Sequence, residues 1–148
     1  MPTPSPRQPQ DLMHLLTRAE RLAARRLRSV LDEDGCSLDA WRVLVLLSDG
    51  AGHPMTAVAE AVFLPPATLT KLIDHLVDQN LVYRRIDPHD RRRVLAHLTP
   101  RGVTYWRRVD REVRVRWPVL DDGDDALLRS LLERLARTLD ATGARSTL

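Results

Sequence analysis

LPPATLTKLIDHLVDQNLVYRRIDPHDRRRVLAHLTPRG, residues 64–102, changes its periodicity twice, and those changes decide the fold. Pro66 suits a first helical position, because a helix start leaves that N–H unpaired in any case. From there Leu69, Leu72, Ile73, Leu76 and Val77 share one arc of a helix running to residue 78. Ala67, Thr68, Thr70, Lys71, Asp74, His75 and Asp78 cover the rest of its surface. Residues 81–86 and 94–98 are short β-prone runs joined by DPHDRRR, where Asp87-Pro88 is a turn signal, so they read as a hairpin. Thr99-Pro100 then supplies a cap and a first-turn proline for another helix.

Upstream, Leu12, Leu15, Leu16, Ala19, Leu22, Ala23, Leu27, Val30 and Leu31 repeat at the spacing of an amphipathic helix. Asp11 is placed to cap it, and the run from Asp32 to Gly35 to close it. Ser37 caps a second helix to about Ser48, whose apolar stretch 43–47 predicts a buried position; Thr56 caps a short third helix ending near Val62. Downstream, Val103, Trp106, Val109, Val113, Trp117 and Leu120 extend the helix after the hairpin, with Pro118 set to kink or end it. DDGDD at 121–125 separates it from a last helix bearing Leu127, Leu128, Leu131, Leu132, Leu135 and Leu139.

The expected fold is therefore mainly α with a small two-stranded β wing: a winged helix-turn-helix flanked by terminal helices. The predicted organisation is a flexible arm at 1–10, a dimerisation helix at 11–36, a DNA-binding core at 37–99, dimerisation helices at 100–141 and a frayed tail from 142 to 148. A domain this small cannot bury the stripes of its terminal helices alone, which predicts a homodimer built from them.

The 148 residues carry 23 basic against 20 acidic side chains, a net charge of +3, so only clustering could point to nucleic acid. One cysteine excludes an intramolecular disulfide and a multi-cysteine zinc site. No apolar run approaches the roughly 20 residues that span a bilayer, and the N-terminus lacks a signal-type core, which predicts a cytoplasmic protein with no membrane partner. His14, His53, His75, His89 and His97 form no metal-binding spacing, and there is neither a phosphate loop nor a nucleophile elbow. No catalytic group, metal or cofactor is expected.

The basic residues do cluster. Arg84, Arg85, Arg91, Arg92 and Arg93 face only Asp87 and Asp90 within ten residues, and a tip of this charge suits a narrow minor groove. On the preceding helix, Thr68 and Thr70 can meet phosphates, base edges or thymine methyls, Lys71 a guanine edge or phosphate, and His75 a neighbouring phosphate. Double-stranded DNA is the partner this implies. A solvated helix face and a charged turn are the plain alternatives, and their adjacency favours DNA.

The same stretch resembles the winged-helix core of the MarR family of transcription regulators. TLTKLIDHLV at 68–77, LVYR at 81–84, DPHDRR at 87–92 and LTPRG at 98–102 carry the resemblance, and the helix order extends it over almost the whole chain. It implies a homodimer on a pseudo-palindromic operator, commonly a repressor released by a small ligand or oxidant. By position, Thr70 and Lys71 would be groove contacts, with Thr68 and His75 secondary. Arg84 would brace the wing base, Asp90 order its tip, and Arg91 and Arg92 approach the minor groove beside Arg93. Pro65 stands where the family often has a hydroxyl cap, and Asn80 where it often has glycine.

The resemblance also implies an effector pocket between the terminal helices and the winged domain, with Trp41, Trp106 and Trp117 as large wall residues, although core packing accounts for each equally simply. Arg18, Arg21, Arg25, Arg26 and Arg28 of the first helix are expected to be mostly solvated. Arg101, Arg107, Arg108, Arg111, Arg114 and Arg116 against Asp110 and Glu112 make the helix after the wing basic enough to track DNA or pair across a dimer. Cys36 reads as a small buried residue, because peroxide-sensing members carry their cysteine near the start of the first long helix. Two other functions fit a winged helix: a protein-interaction module, or an architectural DNA binder without sequence preference.

Overall fold

A computed structural model describes residues 9–117 and 120–143. The chain order is α1 (Pro9–Leu31), a 3₁₀ turn (Asp32–Asp34), α2 (Leu38–Leu47), β1 (His53–Pro54), α3 (Met55–Val62), α4 (Pro66–Asp78), β2 (Val82–Ile86), β3 (Val94–Leu98), α5 (Pro100–Arg116) and α6 (Asp122–Gly143). Two compact units result, one extending to Arg116 and the other beginning at Trp117.

In the first unit, Leu31, Val43, Leu44, Leu47, Val58, Leu69, Ile73, Leu76, Val82 and Val109 are almost wholly buried, joining α1–α5 and the sheet in one core. The expected arc of α4 divides as its period requires: Leu69, Ile73 and Leu76 are buried, and Leu72 and Val77 half-buried at its margins. In α2 Val43, Leu44 and Leu47 are buried, Leu46 is half-buried and Val45 is 39% exposed.

The two wing strands are antiparallel, Val82 opposite Leu98 and Ile86 opposite Val94. A third strand, absent from the sequence reading, joins them: β1 pairs with β3 through His53↔Ala96 and Pro54↔Leu95, giving the order β1-β3-β2. Two residues carry too little pattern to be read as a strand, and only the partner strand makes them one. This pairing also corrects the start of α3. The chain stays extended through Pro54 (φ −57°, ψ 142°), so the helix begins at Met55 without a side-chain cap, and Thr56 lies inside its first turn.

Other caps act as expected. Ser37 Oγ accepts the Ala40 N–H at 3.1 Å, and Thr99 Oγ1 accepts the Gly102 N–H at 2.9 Å. Gly35 ends the 3₁₀ turn with φ 63°, and Asn80 adopts φ 56° before β2. Pro9 and Gln10 already belong to α1, so the helix starts before Asp11 and the expected arm is shorter than 1–10; residues 1–8 lie outside the described residues. A proline is favourable in a first turn, which moves the start upstream. Trp117 follows the end of α5 and does not extend it, and the expectation for Pro118 falls outside the described residues.

In the second unit, Asp121 is the cap: its Oδ1 accepts the Asp124 N–H at 2.9 Å. Asp122, Gly123, Asp124 and Asp125 therefore form the first turn of α6, where acidic groups complement the helix dipole, and are not a linker. Thr142 and Gly143 are helical, leaving 144–148 of the expected tail outside the described residues. None of the α6 leucines is buried; Leu127, Leu128, Leu131, Leu132 and Leu139 are exposed by 43–62%. Among the described residues no single helix is long and apolar enough to cross a membrane.

Candidate nucleic-acid interface

Helices α3 and α4 meet at 107° across a three-residue turn, within the range of a helix-turn-helix. Phe63 makes the turn in left-handed geometry (φ 55°), its N–H donating to the Ala59 and Glu60 carbonyls. Pro65 offers no side-chain cap, and Pro66 occupies the first helical position. Thr68, Thr70, Lys71, Asp74 and His75 are exposed, as their positions opposite the buried arc require.

One of these side chains is already engaged. Thr70 Oγ1 donates to the Pro66 carbonyl at 2.9 Å, so in this rotamer it presents an acceptor lone pair and a methyl, and no free donor. Asp74 is engaged as well, forming an ion pair and hydrogen bond with Arg84 of β2. That contact joins the outward face of α4 to the base of the wing.

The wing tip is ordered by its two aspartates. Asp87 is buried; its carboxylate accepts the His89 N–H at 2.9 Å, while its own N–H donates to the Arg93 carbonyl at 2.9 Å. Asp90 accepts the Arg93 N–H on its carbonyl at 2.9 Å and the Arg92 N–H on Oδ1 at 3.1 Å. Arg93 Nε lies 3.9 Å from Asp87 and Arg92 Nε 3.6 Å from Asp90. The exposed Arg92–Asp90 pair contributes little energy, and the backbone bonds hold the shape. Among the described residues Lys71, Arg85 and Arg91 make no ion pair, so their charge is unspent.

Two participants escaped the sequence reading. Arg85 was counted only as charge, although it adds an uncompensated guanidinium to the strand. Asp87 was read as a turn signal, although it is the buried anchor of the tip. The Asp-Pro-His-Asp order was the available clue, since an aspartate commonly bonds the N–H two residues on.

The wing is seated by close packing. His97 on β3 stacks on Tyr83 with ring centroids 5.0 Å apart, and its imidazole fills the space where a Cβ on Gly52 would stand. Gly102 lies so close to the Leu81 carbonyl that a Cβ there would come within 2.0 Å of the oxygen, and Leu81 O also accepts the Thr99 N–H at 3.0 Å.

Half of the arginines that make α5 basic are paired. Arg108 pairs with Asp34 at 3.3 Å, Arg114 with Asp110 at 2.6 Å, and Arg116 with Glu33 at 2.7 Å and Glu112 at 3.5 Å. Arg26 donates twice to the Arg116 carbonyl, at 3.0 and 3.1 Å, fastening α1 to the end of α5. Hydrogen bonding and charge from Arg116 lower the Glu33 pKa below its ordinary value.

Trp41 lines an open cavity of about 540 Å³ with Arg42, Val45, Leu46 and Phe63, between α2 and the end of α3. Trp106 is half-buried against the core, and Trp117 belongs to the second unit. Burial raises the Cys36 thiol pKa, the opposite of what a reactive thiolate needs. Among the described residues no group of three or more His, Cys, Asp or Glu side chains is gathered to hold a metal.

Comparison with known proteins agrees with this geometry. Residues 34–93 match the family model described as "MarR family". The chain is 26% identical to the HTH-type transcriptional regulator FarR of Neisseria gonorrhoeae over 130 residues, 85% of this chain and 89% of that protein. Among solved structures, it is similar to a MarR-family transcriptional regulator from Rhodococcus sp. RHA1 (25% identity, TM-score 0.78, 89% of this chain and 96% of that one). It is also similar to AbsC, a MarR family transcriptional regulator from Streptomyces coelicolor (26% identity, TM-score 0.73, 89% and 94%). A right-angled helix pair, a wing joined to its second helix and these likenesses agree on one fold: a winged helix-turn-helix whose residues 34–93 match the MarR family and which is similar to transcriptional regulators of that family.

Proposed function

We propose that the chain is a homodimeric repressor that reads a pseudo-palindromic operator and releases it when a small effector binds. The observation that carries this reading is the Arg84–Asp74 bond, which places the exposed face of α4 beside the base of the arginine wing. Thr68, Thr70 and Lys71 then face the major groove, the first two through acceptors and methyls, with His75 toward a flanking phosphate. Arg91 and Arg92 reach the minor groove, with Arg93 and Asp90 holding the tip and Arg85 adding phosphate contact.

The dimer is supported by unburied apolar stripes at both ends of the chain. Leu12, Met13, Leu15 and Leu22 of α1 are exposed by 47–61%, alongside the leucines of α6. Stripes of this length on a monomer favour association, and a two-fold pair would present two copies of α4 about 34 Å apart. The terminal helices are accordingly assigned to dimerisation and residues 37–99 to DNA. For the effector, the open cavity lined by Trp41 is the candidate.

The test is selection of bound fragments from the source organism's genomic DNA at about 0.15 M salt, where non-specific phosphate binding is weakened. Enrichment of sites sharing an imperfect inverted repeat is the expected result. Capture without an enriched sequence would replace the regulator reading with an architectural one. Sedimentation at micromolar concentration should give a dimer, and a monomer would refute that assignment.

A further inference from the structure

His14, Arg18, Arg21, Arg25 and Arg28 follow one another along α1 at intervals of four, three, four and three residues. At 3.6 residues per turn this spacing keeps all five within an arc of about 80° and spreads them over about 21 Å of helix. All five are exposed, and no apolar or acidic residue falls inside the arc. The buried residues Ala24, Leu27, Val30 and Leu31 lie on another side of the helix, and the exposed Leu12, Met13, Leu15 and Leu22 also fall outside the arc. The stripe is therefore separate from the core and from the apolar surface assigned to dimerisation.

Its charge is largely unspent. Among the described residues Arg21 is the one member with an ion pair, Glu20 lying 3.8 Å from its Nε, and Glu20 is shared with Arg42 at 3.5 Å. The arginines of α5 differ, since Asp34, Asp110 and Glu33 claim three of them. Like charges three and four residues apart on a helix repel, so this stripe is stabilised by a line of anions laid along it.

The chemistry of the stripe narrows what that line can be. An amphipathic helix or a lipid surface needs apolar contact, which the arc does not offer. Guanidinium groups match phosphate oxygens in charge and in their planar fork geometry. A duplex carries one phosphate charge per about 1.7 Å of its axis, so its backbone supplies partners along the whole stripe. Helix α1 packs on α2 and α5, whereas α4 packs on α3 and β2, so the stripe and the recognition surface belong to different elements. A chain holding one DNA segment on its wing keeps other segments of the same molecule nearby, at high effective concentration.

We propose that the outward face of α1 is a second DNA surface without sequence preference, on which Arg18, Arg21, Arg25 and Arg28 hold the phosphate backbone of a separate duplex segment. One protein molecule then bridges two stretches of DNA. The bridge rests on the winged face being the surface that reads the first stretch.

The test is a sandwich assay with the full chain at about 0.05 M salt, where non-specific phosphate contacts are strong. The chain is loaded onto an immobilised duplex taken from the genomic selection, and a labelled duplex of unrelated sequence is then added. Capture of the labelled duplex at micromolar concentration is the expected result. Arg18→Gln with Arg25→Gln should weaken that capture at least fivefold and reduce its salt slope by about 2. Arg107→Gln with Arg111→Gln removes the same charge from exposed α5 positions that make no ion pair among the described residues, and should change capture less than twofold. No capture, or equal loss from the two pairs, would overturn the surface. Equal capture of polyglutamate or of phosphatidylserine vesicles would overturn DNA as its partner. Both pairs should hold the immobilised duplex within twofold of the parent; a larger loss from the Arg18 and Arg25 pair would place the stripe on the first duplex and overturn the bridge. If the parent chain does not stay on the immobilised duplex, the regulator reading fails instead, and direct binding of the unrelated duplex, compared between the two pairs, still decides the stripe.

Discussion

Replacing Gly102 by alanine tests the packing that sets the wing against the rest of the domain. The new Cβ would stand 2.0 Å from Leu81 O and 2.9 Å from its carbonyl carbon. Close carbon–oxygen contacts settle near 3.3 Å, so the start of α5 and the Leu81 peptide must separate by about 1.3 Å. Neither is free to move. Thr99 donates its N–H to Leu81 O at 3.0 Å and its hydroxyl to Asn80 O at 2.6 Å, and a shift of that size breaks the first of these bonds. Overpacking costs about 1–3 kcal/mol, and a buried carbonyl losing its partner about as much again. Gly102→Ala should therefore lose roughly 2–6 kcal/mol, a large part of a typical domain's stability. The assay is urea unfolding, read as a fall in midpoint with an unchanged slope. Gly123→Ala is the control: it lies in the first turn of α6 with only Asp121 Oδ1, at 3.5 Å, near the new atom, and should be neutral or slightly stabilising. A Gly102→Ala variant within about 1 kcal/mol of its parent would refute the reasoning.

Gly52→Ala places a Cβ 2.3 Å from His97 Cε1 at a residue with φ +76°, so it should destabilise by about 2–4 kcal/mol, and His97→Ala in the same chain should recover part of that loss; a double variant no better than the single leaves backbone strain as the sole cause. Arg91→Ala should weaken duplex binding and reduce the salt slope by about 1, whereas Arg84→Ala should weaken it without that change, because Arg84 faces Asp74; identical slopes for the two contradict the assignment. Glu33, with its pKa lowered by Arg116, contributes stability fully above its ordinary value near 4.5 and loses it as pH falls through the lowered folded value; the midpoint difference from Glu33→Gln should be small at pH 7 and vanish in acid, and a difference that grows under acid speaks against the pair. Cys36, buried and with a raised pKa, should react with a thiol reagent only after denaturant is added, and stoichiometric labelling within minutes in native buffer would show the burial to be wrong.

The elements most legible in the chain were those whose information is local. Helix α4 could be bounded at Pro66 and Asp78 because a first-turn proline and a 3.6-residue apolar period both act within a few residues. The wing strands followed from their β-prone runs and the Asp-Pro turn, and Ser37 and Thr99 from cap chemistry. The charge of the wing was equally visible, since it depends only on which residues lie between two short strands.

What escaped were properties that depend on a distant partner. His53-Pro54 is a strand because Leu95 and Ala96 accept it, and that pairing moved the start of α3 from the expected Thr56 cap to Met55. Arg84 and Arg93 carry the same charge as Arg91, yet Asp74 and Asp87 claim the first two while Arg91 has no acidic partner among the described residues. The α5 arginines read as charge for DNA or for pairing across a dimer, and Asp34 and Glu33, far away in sequence, claim two of them within the same chain. Trp41 and Trp106 are equally large and equally capable of lining a pocket, but only the packed core decides that Trp41 borders an open cavity and that Trp106 is half-buried. Residue type and spacing decide which secondary structure forms and how much charge it carries. Which charges stay free, which glycine tolerates no Cβ and where a cavity opens depend on contacts between segments, and those exist only after the chain has folded.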